Sequence, residues 1–357
     1  MDKLILSIKT VSKTTKLSVH SNRKQIYLIN IKHPLDELCK FNNVIDQFAL
    51  RKHAVLEELK RANIDLSDIG IVVGRGGLLK PIPGGVYHVN QAMLNDIFHP
   101  MAEHESNLGG LIADAIAKEI GNGIQAVIVD PACVDEMDPI AKISGMPEIT
   151  RRSFLHTLSQ RAVAMRFAVA NGKTYESVNV IVAHLGSGIS VGAHCKGRII
   201  DVNNGLNGDG PMSPTRSGSV PVGQLVELCF SGKFTQDEMM KKICGEGGLK
   251  AYLGTNDAIE IEKRVTSGDE DAEIIYKAIA YQIAKEIGAL STVLKGEVDG
   301  ILITGGLAYS QYIINEISER VKHIGEIIVY PGENEMQALA MNGYMVLNGE
   351  IEVKEYL

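Results

Sequence analysis

A duplicated α/β architecture of two domains is predicted by three features of this sequence. At 357 residues the chain exceeds what one compact core ordinarily organises. Each half contains three short strand-like runs separated by turn-length polar segments. Each half then continues with helical and strand-like stretches in alternation.

In the first half the strand-like runs are Leu4–Ile8, Lys16–His20 and Gln25–Ile31. A long helical stretch is expected from about Leu35 to Ala62, followed by the buried strand IGIVVG over Ile69–Gly74. A Gly- and Pro-rich loop follows. Then Leu108, Leu111, Ile112, Ala115 and Ile116 recur at helical spacing, which predicts a helix over 106–120 with one face in the core. The strand IQAVIVD, 124–130, closes this half.

The second half repeats the scheme. A helix over 153–171 leads into strands at 178–185, 189–194 and 198–202. A long helix over 271–294 carries Tyr276, Ile279, Ile283, Ile287, Leu290 and Leu294 in register. A strand at 300–304, a helix from Ser310, a strand at 326–330 and a final helix from Glu335 complete it. The expected domains are 1–150, completed by the C-terminal helix 337–357, and 151–336. Two facing α/β domains in this order, each a ribonuclease H-like βββαβαβα unit, are the plan of the actin, sugar kinase and heat-shock ATPase superfamily. With no Pro/Gly/Ser-rich linker, the hinge is expected to be a packed crossover rather than a tether.

Composition narrows the function classes. A net charge of −7 with no Trp argues against coating nucleic acid, which requires basic patches and stacking aromatics. No apolar run approaches the roughly 18 residues that span a bilayer, and the N-terminus MDKLILSIKT lacks the apolar core and cleavage site of a signal peptide. A cytoplasmic protein with a small anionic ligand is expected. The five cysteines form no C-x-x-C pair, so neither a disulfide framework nor a thiolate zinc site is indicated.

Several loops carry residues suited to anion chemistry. HLGSGIS, 184–190, lies between two strand-like runs, where Gly186 and Gly188 around Ser187 allow backbone N–H groups to approach a phosphate; a plain hairpin turn is the competing reading. Gly305 and Gly306 end a strand before a helix, where α/β proteins commonly place a nucleotide. Arg75, in GRGGLLKPIPGGVY, and Arg216, in GDGPMSPTRSGS, sit in glycine-rich loops of different halves. There a planar guanidinium can grip carboxylate or phosphate, and the two are expected to converge. Asp130 ends a strand before Pro131, a position that suits either an active-site acid or a turn residue. For His156, among Phe154, Leu155 and Leu158, and for His184, packing competes with function.

Taken together and in order, GRGGLLKPIPGGVY, VDPACVDEM, AHLGSGIS, GRIIDVNNGLNGDGP, LCFSGKFT and LITGGLA resemble the acetokinase family, the butyrate kinases more closely than the acetate kinases. The resemblance runs nearly the whole chain. It implies ATP-dependent, reversible phosphorylation of a short-chain carboxylate to an acyl phosphate, with ATP/ADP and Mg2+ as cofactors and a homo-oligomeric assembly. It also assigns roles by motif. Arg75 and Arg216 would hold the carboxylate and the migrating phosphoryl group, Asp130 would orient the reactants, and His156 would stabilise transition-state charge. Ser12, Thr14, Lys16, His184, Gly186, Ser187, Gly188, Asp257, Gly305 and Gly306 would contact the nucleotide, and Glu335 would help hold magnesium.

Two departures from the family pattern stand out. Where relatives begin Asn-Pro-Gly-Ser-Thr-Ser-Thr-Lys, this chain has Lys9, Thr10, Val11, Ser12, Lys13, Thr14, Thr15 and Lys16, so that Asn becomes Lys9 and Gly becomes Val11. A β-branched residue suits neither positive φ nor close backbone approach, so a reshaped loop is expected. Ile259 stands where relatives carry an arginine. These changes motivate the alternative of a catalytically weak or inactive paralogue acting as a ligand-binding or partner subunit.

Overall fold

The computed structural model describes residues 3–100, 103–332 and 334–357. The chain forms two compact units, Met1–Val134 with Asn334–Leu357, and Asp135–Glu333.

The first unit opens on an antiparallel meander of β1 (Leu4–Val11), β2 (Thr14–Ser21) and β3 (Lys24–Lys32). The expected single helix over 35–62 is interrupted: α1 is Leu35–Leu38 and α2 is Phe48–Arg61, with a 3-10 turn, Val44–Gln47, before α2. Asn43 and Asp46 stop the continuation. The Asn43 backbone N–H donates to the Asp46 carboxylate at 3.2 Å, a capping arrangement that begins a new turn. Next come β4 (Ile69–Arg75), β5 (Val86–His88), α3 (Gln91–Phe98), α4 (Asn107–Ile120) and β6 (Gln125–Val129). Both β5 and α3 fall in the stretch that sequence reading leaves as loop.

The second unit contains α5 (Thr157–Ala170), then a second meander of β7 (Asn179–Leu185), β8 (Ile189–Cys195) and β9 (Arg198–Val202). Helices α6 (Val222–Cys229), α7 (Gln236–Ile243), α8 (Gly248–Leu253), α9 (Ala258–Thr266) and α10 (Glu270–Val293) follow. β10 (Gly300–Gly305), α11 (Gln311–Val321) and β11 (Ile327–Pro331) end it. The chain then returns to the first unit as α12 (Glu335–Leu347) and β12 (Val353–Lys354).

The boundaries differ from expectation at both crossings. Residues 135–150 belong to the second unit, because Asp138 N donates to Ile200 O at 2.9 Å and Ile199 N to the Glu136 carboxylate at 3.0 Å. Residues 334–336 belong to the first, because Glu335 pairs with Lys9 there.

The sheets show the duplication directly. Their orders are β12-β5-β6-β4-β1-β2-β3 and β11-β10-β7-β8-β9. In each, a meander is extended by parallel strands added beside its first member, β4 beside β1 and β10 beside β7. Alternation along β1 and β2 sends Leu6, Ile8, Leu17 and Val19 into a core with Val55, Leu59, Leu108 and Ile112. The opposite face, with Ser7 and Lys9 of β1 and Lys16 and Ser18 of β2, is the side on which α12 packs. In the second unit Ile181, Ala183 and Val191 pack with Tyr276, Ile279 and Ile283 of α10. Val180 and Val182 pack on the other face with Val163 and Phe167 of α5. The apolar side chains named are all buried, and such burial stabilises by roughly 1.5–3 kcal/mol per large apolar side chain.

Candidate active site

In the second unit the β7–β8 hairpin carries the glycine turn. Gly186 N donates to Gly188 O at 3.1 Å, which folds residues 186–188 back on themselves at the mouth of the strands. Arg216 lies on this turn. A Cβ built on Gly188 would stand 1.8 Å from Arg216 Nη1, so only glycine lets the guanidinium settle there. Arg216 Nη1 donates to Gly205 O, and its backbone N to Ser213 Oγ at 3.1 Å. Ser213 Oγ in turn donates to Ser187 O at 2.7 Å, tying the arginine loop to the glycine turn. Burial lowers the Arg216 pKa, opposed by Cys244.

Beside them, His156 at the start of α5 stacks on His184 near the end of β7, with ring centroids 4.0 Å apart. A chain of hydrogen bonds reaches His156 from the interior. His194 Nε2 meets Gln160 Oε1 at 2.9 Å, and Gln160 Nε2 donates to Ser190 O at 3.0 Å and Ser190 Oγ at 2.9 Å. The carbonyl partner fixes Nε2 as the nitrogen end of Gln160, so His194 Nε2 is the donor to Oε1 and its Nδ1 accepts from Tyr175 OH at 2.8 Å. Burial, and secondarily Arg161, holds His194 neutral by pushing its pKa down to about 3. Ser190 Oγ already accepts from Gln160 and from His156 N, so its own proton goes to His156 Nδ1 at 2.9 Å. Ser190 and Gln160 thereby hold the His156 ring from its Nδ1 side. Sequence reading missed Ser190, Gln160, His194 and Tyr175.

Gly305 ends β10, which pairs with β7, and Gly306 follows it. Gly305 has φ +96°, and a Cβ there would lie 2.5 Å from Leu185 O. It is required for the close approach of two strand ends, whereas a Cβ on Gly306 meets nothing within 4 Å. Asp257 caps α9, its carboxylate accepting from Ile259 N at 2.9 Å, and Ile259 itself is exposed.

The equivalent hairpin in the first unit, β1–β2, turns through Ser12 and Lys13 with Val11 opposite Thr14. Val11 remains extended in β1 and neither turn residue has positive φ, so the loop has become a tight hairpin. Arg51 of α2, 0 % exposed, clamps it: Nη1 donates to Val11 O at 2.9 Å and Thr14 O at 3.0 Å, and Nη2 to Ser12 O at 2.8 Å. Sequence reading missed this residue as well. Burial lowers the Arg51 pKa, partly offset by Glu105. On the sheet face toward α12, Lys9 stands opposite Lys16. Lys9 Nζ lies 2.7 Å from Glu335 Oε2, and Arg75 Nε lies 3.4 Å from the same oxygen. Asp130, at the end of β6, adopts left-handed φ +39°, an uncommon conformation for a side-chain-bearing residue. Its carboxylate accepts from Gly85 N at 2.8 Å, which ties the strand end to the loop after Arg75.

Glu335 does not fit the role of a divalent-metal ligand in this arrangement. Its charge is already met by two cations, and among the described residues no group of three or more His, Cys, Asp or Glu side chains is placed to hold a metal. A divalent ion about 4 Å from the Lys9 ammonium would be repelled by on the order of 8 kcal/mol at an effective dielectric of about 20.

Two α/β units whose sheets repeat one strand order define an actin-like fold. Within that class the chain belongs to the acetokinase family, whose family model matches residues 53–344. Family membership implies ATP-dependent phosphorylation of a short-chain carboxylate. Similar solved structures include the acetate kinase of Porphyromonas gingivalis, 19 % identical, with a TM-score of 0.78 over 97 % of this chain and 100 % of that one. A propionate kinase from Francisella tularensis subsp. tularensis SCHU S4 is 18 % identical, with a TM-score of 0.76 over 95 % of this chain and 98 % of that one. The acetate kinase of Entamoeba histolytica is 15 % identical, with a TM-score of 0.75 over 94 % and 98 %. Among the described residues no helix is long and apolar enough to cross a membrane.

Proposed function

We propose that this chain transfers a phosphoryl group reversibly between ATP and a short-chain carboxylate, with butyrate as the favoured acid and butanoyl phosphate as the product. The observation that carries this reading is Arg216 resting on the Gly186–Gly188 turn beside the stacked His156–His184 pair. That grouping brings a fixed guanidinium, a glycine turn and two imidazole rings together. A carboxylate is already a nucleophile, so catalysis consists of aligning it with the γ-phosphorus and neutralising the equatorial oxygens while ADP departs.

In this reading Arg216 and Arg75 hold the migrating phosphoryl group and the carboxylate, Asp130 orients the reactants through its constrained backbone, and His156 Nε2–H donates to phosphoryl oxygens. The Gly186–Gly188 turn, Gly305 and Gly306 receive the nucleotide, and Ser12, Thr14 and Lys16 contact its phosphates. Asp257 serves as a helix cap whose contribution to nucleotide binding is indirect. Any Mg2+ enters as part of the MgATP substrate.

A coupled ADP-release assay with acetate, propionate, butyrate and isobutyrate tests the reading. Since a methylene shifts selectivity by about 1–3 kcal/mol, kcat/KM for butyrate is expected to exceed that for acetate by tenfold or more. The reverse order would move the preferred acid to acetate or propionate. Absence of turnover with all four acids, recovered on Lys9→Asn with Val11→Gly, would establish the inactive-paralogue alternative.

A further inference from the structure

Lys9 is 4 % exposed and Glu335 2 % exposed, and their charged groups meet at hydrogen-bond distance, 2.7 Å. Arg75 approaches the same carboxylate oxygen, and Lys16 stands across from Lys9 on the same face of the β1–β2 pair. A carboxylate this deeply buried needs a compensating cation. Here that cation is covalently part of β1, paired in register with Lys16 of β2.

We propose that Lys9 is a tethered cation that replaces a protein-bound divalent metal at Glu335. With Lys16 and Arg75 it presents fixed positive charge to the phosphate oxygens of a nucleotide or acyl phosphate. The ammonium takes the carboxylate oxygen a metal would need, and among the described residues no group of three or more His, Cys, Asp or Glu side chains is placed to hold a metal. The sequence change that creates the device is one residue, Lys9 in place of the asparagine of the related motif. Its stabilising charge cannot dissociate, so this end of the first unit is insensitive to chelators. The nature of the anion rests on the phosphotransfer reading; the exclusion of metal concerns the chain alone.

The test is a titration of nucleotide-free protein with Mn2+, following the free ion by its paramagnetic resonance signal. The samples are the parent, Glu335→Gln, Lys9→Asn, and Lys9→Asn with Glu335→Gln, with circular dichroism to confirm folding. The parent is expected to show no saturable site that depends on Glu335 up to millimolar Mn2+. Lys9→Asn is expected to gain one site per chain, at least tenfold tighter than any site in the parent and lost again in the double variant. One bound Mn2+ in the parent that disappears in Glu335→Gln would overturn the proposal. A folded Lys9→Asn that gains no site would do the same, since Lys9 would then be an ordinary counter-ion. Should Lys9→Asn fail to fold, the parent and Glu335→Gln decide the question by themselves. No turnover is measured, so a failure here and a failure of the kinase reading are separately visible.

Discussion

The β1–β2 and β7–β8 hairpins hold the same place in a repeated strand order, yet they are built by opposite means. The β7–β8 hairpin uses absent side chains: Gly188 leaves room for Arg216, and Gly186 closes the turn through its own N–H to Gly188 O. The β1–β2 hairpin has no glycine in its turn and uses side chains, with Lys9 and Lys16 on its strands and Arg51 gripping its carbonyls from behind. Backbone donors need glycine and tolerate little change, whereas a side-chain cation sits on an ordinary strand. This explains how Val11 is accommodated at the turn without strain.

The contrast can be broken most forcefully at Arg51. Arg51→Met leaves the carbonyls of Val11, Ser12 and Thr14 without their buried partner, and a stability loss of about 3–5 kcal/mol is expected. Urea unfolding measures it, and a loss below about 1 kcal/mol would show that the hairpin does not depend on the clamp. Gly188→Ala sharpens the other side. The clash falls on the flexible end of Arg216, so stability should change by less than about 1 kcal/mol, while displacement of the guanidinium lowers kcat by about 10²-fold. Equal loss of stability and activity would make Gly188 a packing residue only.

Gly305→Ala, where both positive φ and the Leu185 backbone oppose a Cβ, is expected to cost about 2 kcal/mol, and Gly306→Ala less than about 0.5 kcal/mol. The smallest effect is a pH slope. His194 is held neutral in the fold with its pKa pushed down to about 3, and His33 to about 4, in both cases chiefly by burial. The unfolded chain protonates both near pH 6.5, so it binds more protons below that value. Their contribution is therefore complete above pH 6.5 and declines as pH falls toward 4, by about 1.4 kcal/mol per pH unit for each histidine. Urea unfolding of the parent and His194→Gln at pH 7 and 5.5 should show a shallower decline in the variant; equal declines would remove His194 from the account.

The meanders, the buried strands and the long α10 helix were legible because their apolar periods are regular. The break between α1 and α2 was harder to read, since Asn42, Asn43 and Asp46 interrupt a run whose apolar residues on either side still fit a helix. Arg51 looked like one more cation on a helix surface, and only the position of β1–β2 against α2 turns it inward. The relay behind His156 left a signal that went unused. Ser190, Gly192 and His194 alternate on one face of β8, and Gln160 follows His156 by one helical turn. Periodicity says which residues share a face. It does not say which partner that face meets, and so the pairing of Lys9 with Glu335, 326 positions later in the chain, required the fold.

The most direct measurement of the central claim is trapping the acyl phosphate with hydroxylamine from butyrate and ATP, using the parent, Arg75→Ala and Arg216→Ala. The account expects butyryl hydroxamate from the parent and a fall of about 10²–10³-fold in each variant. A parent that yields no hydroxamate, or variants that yield as much as the parent, would contradict it.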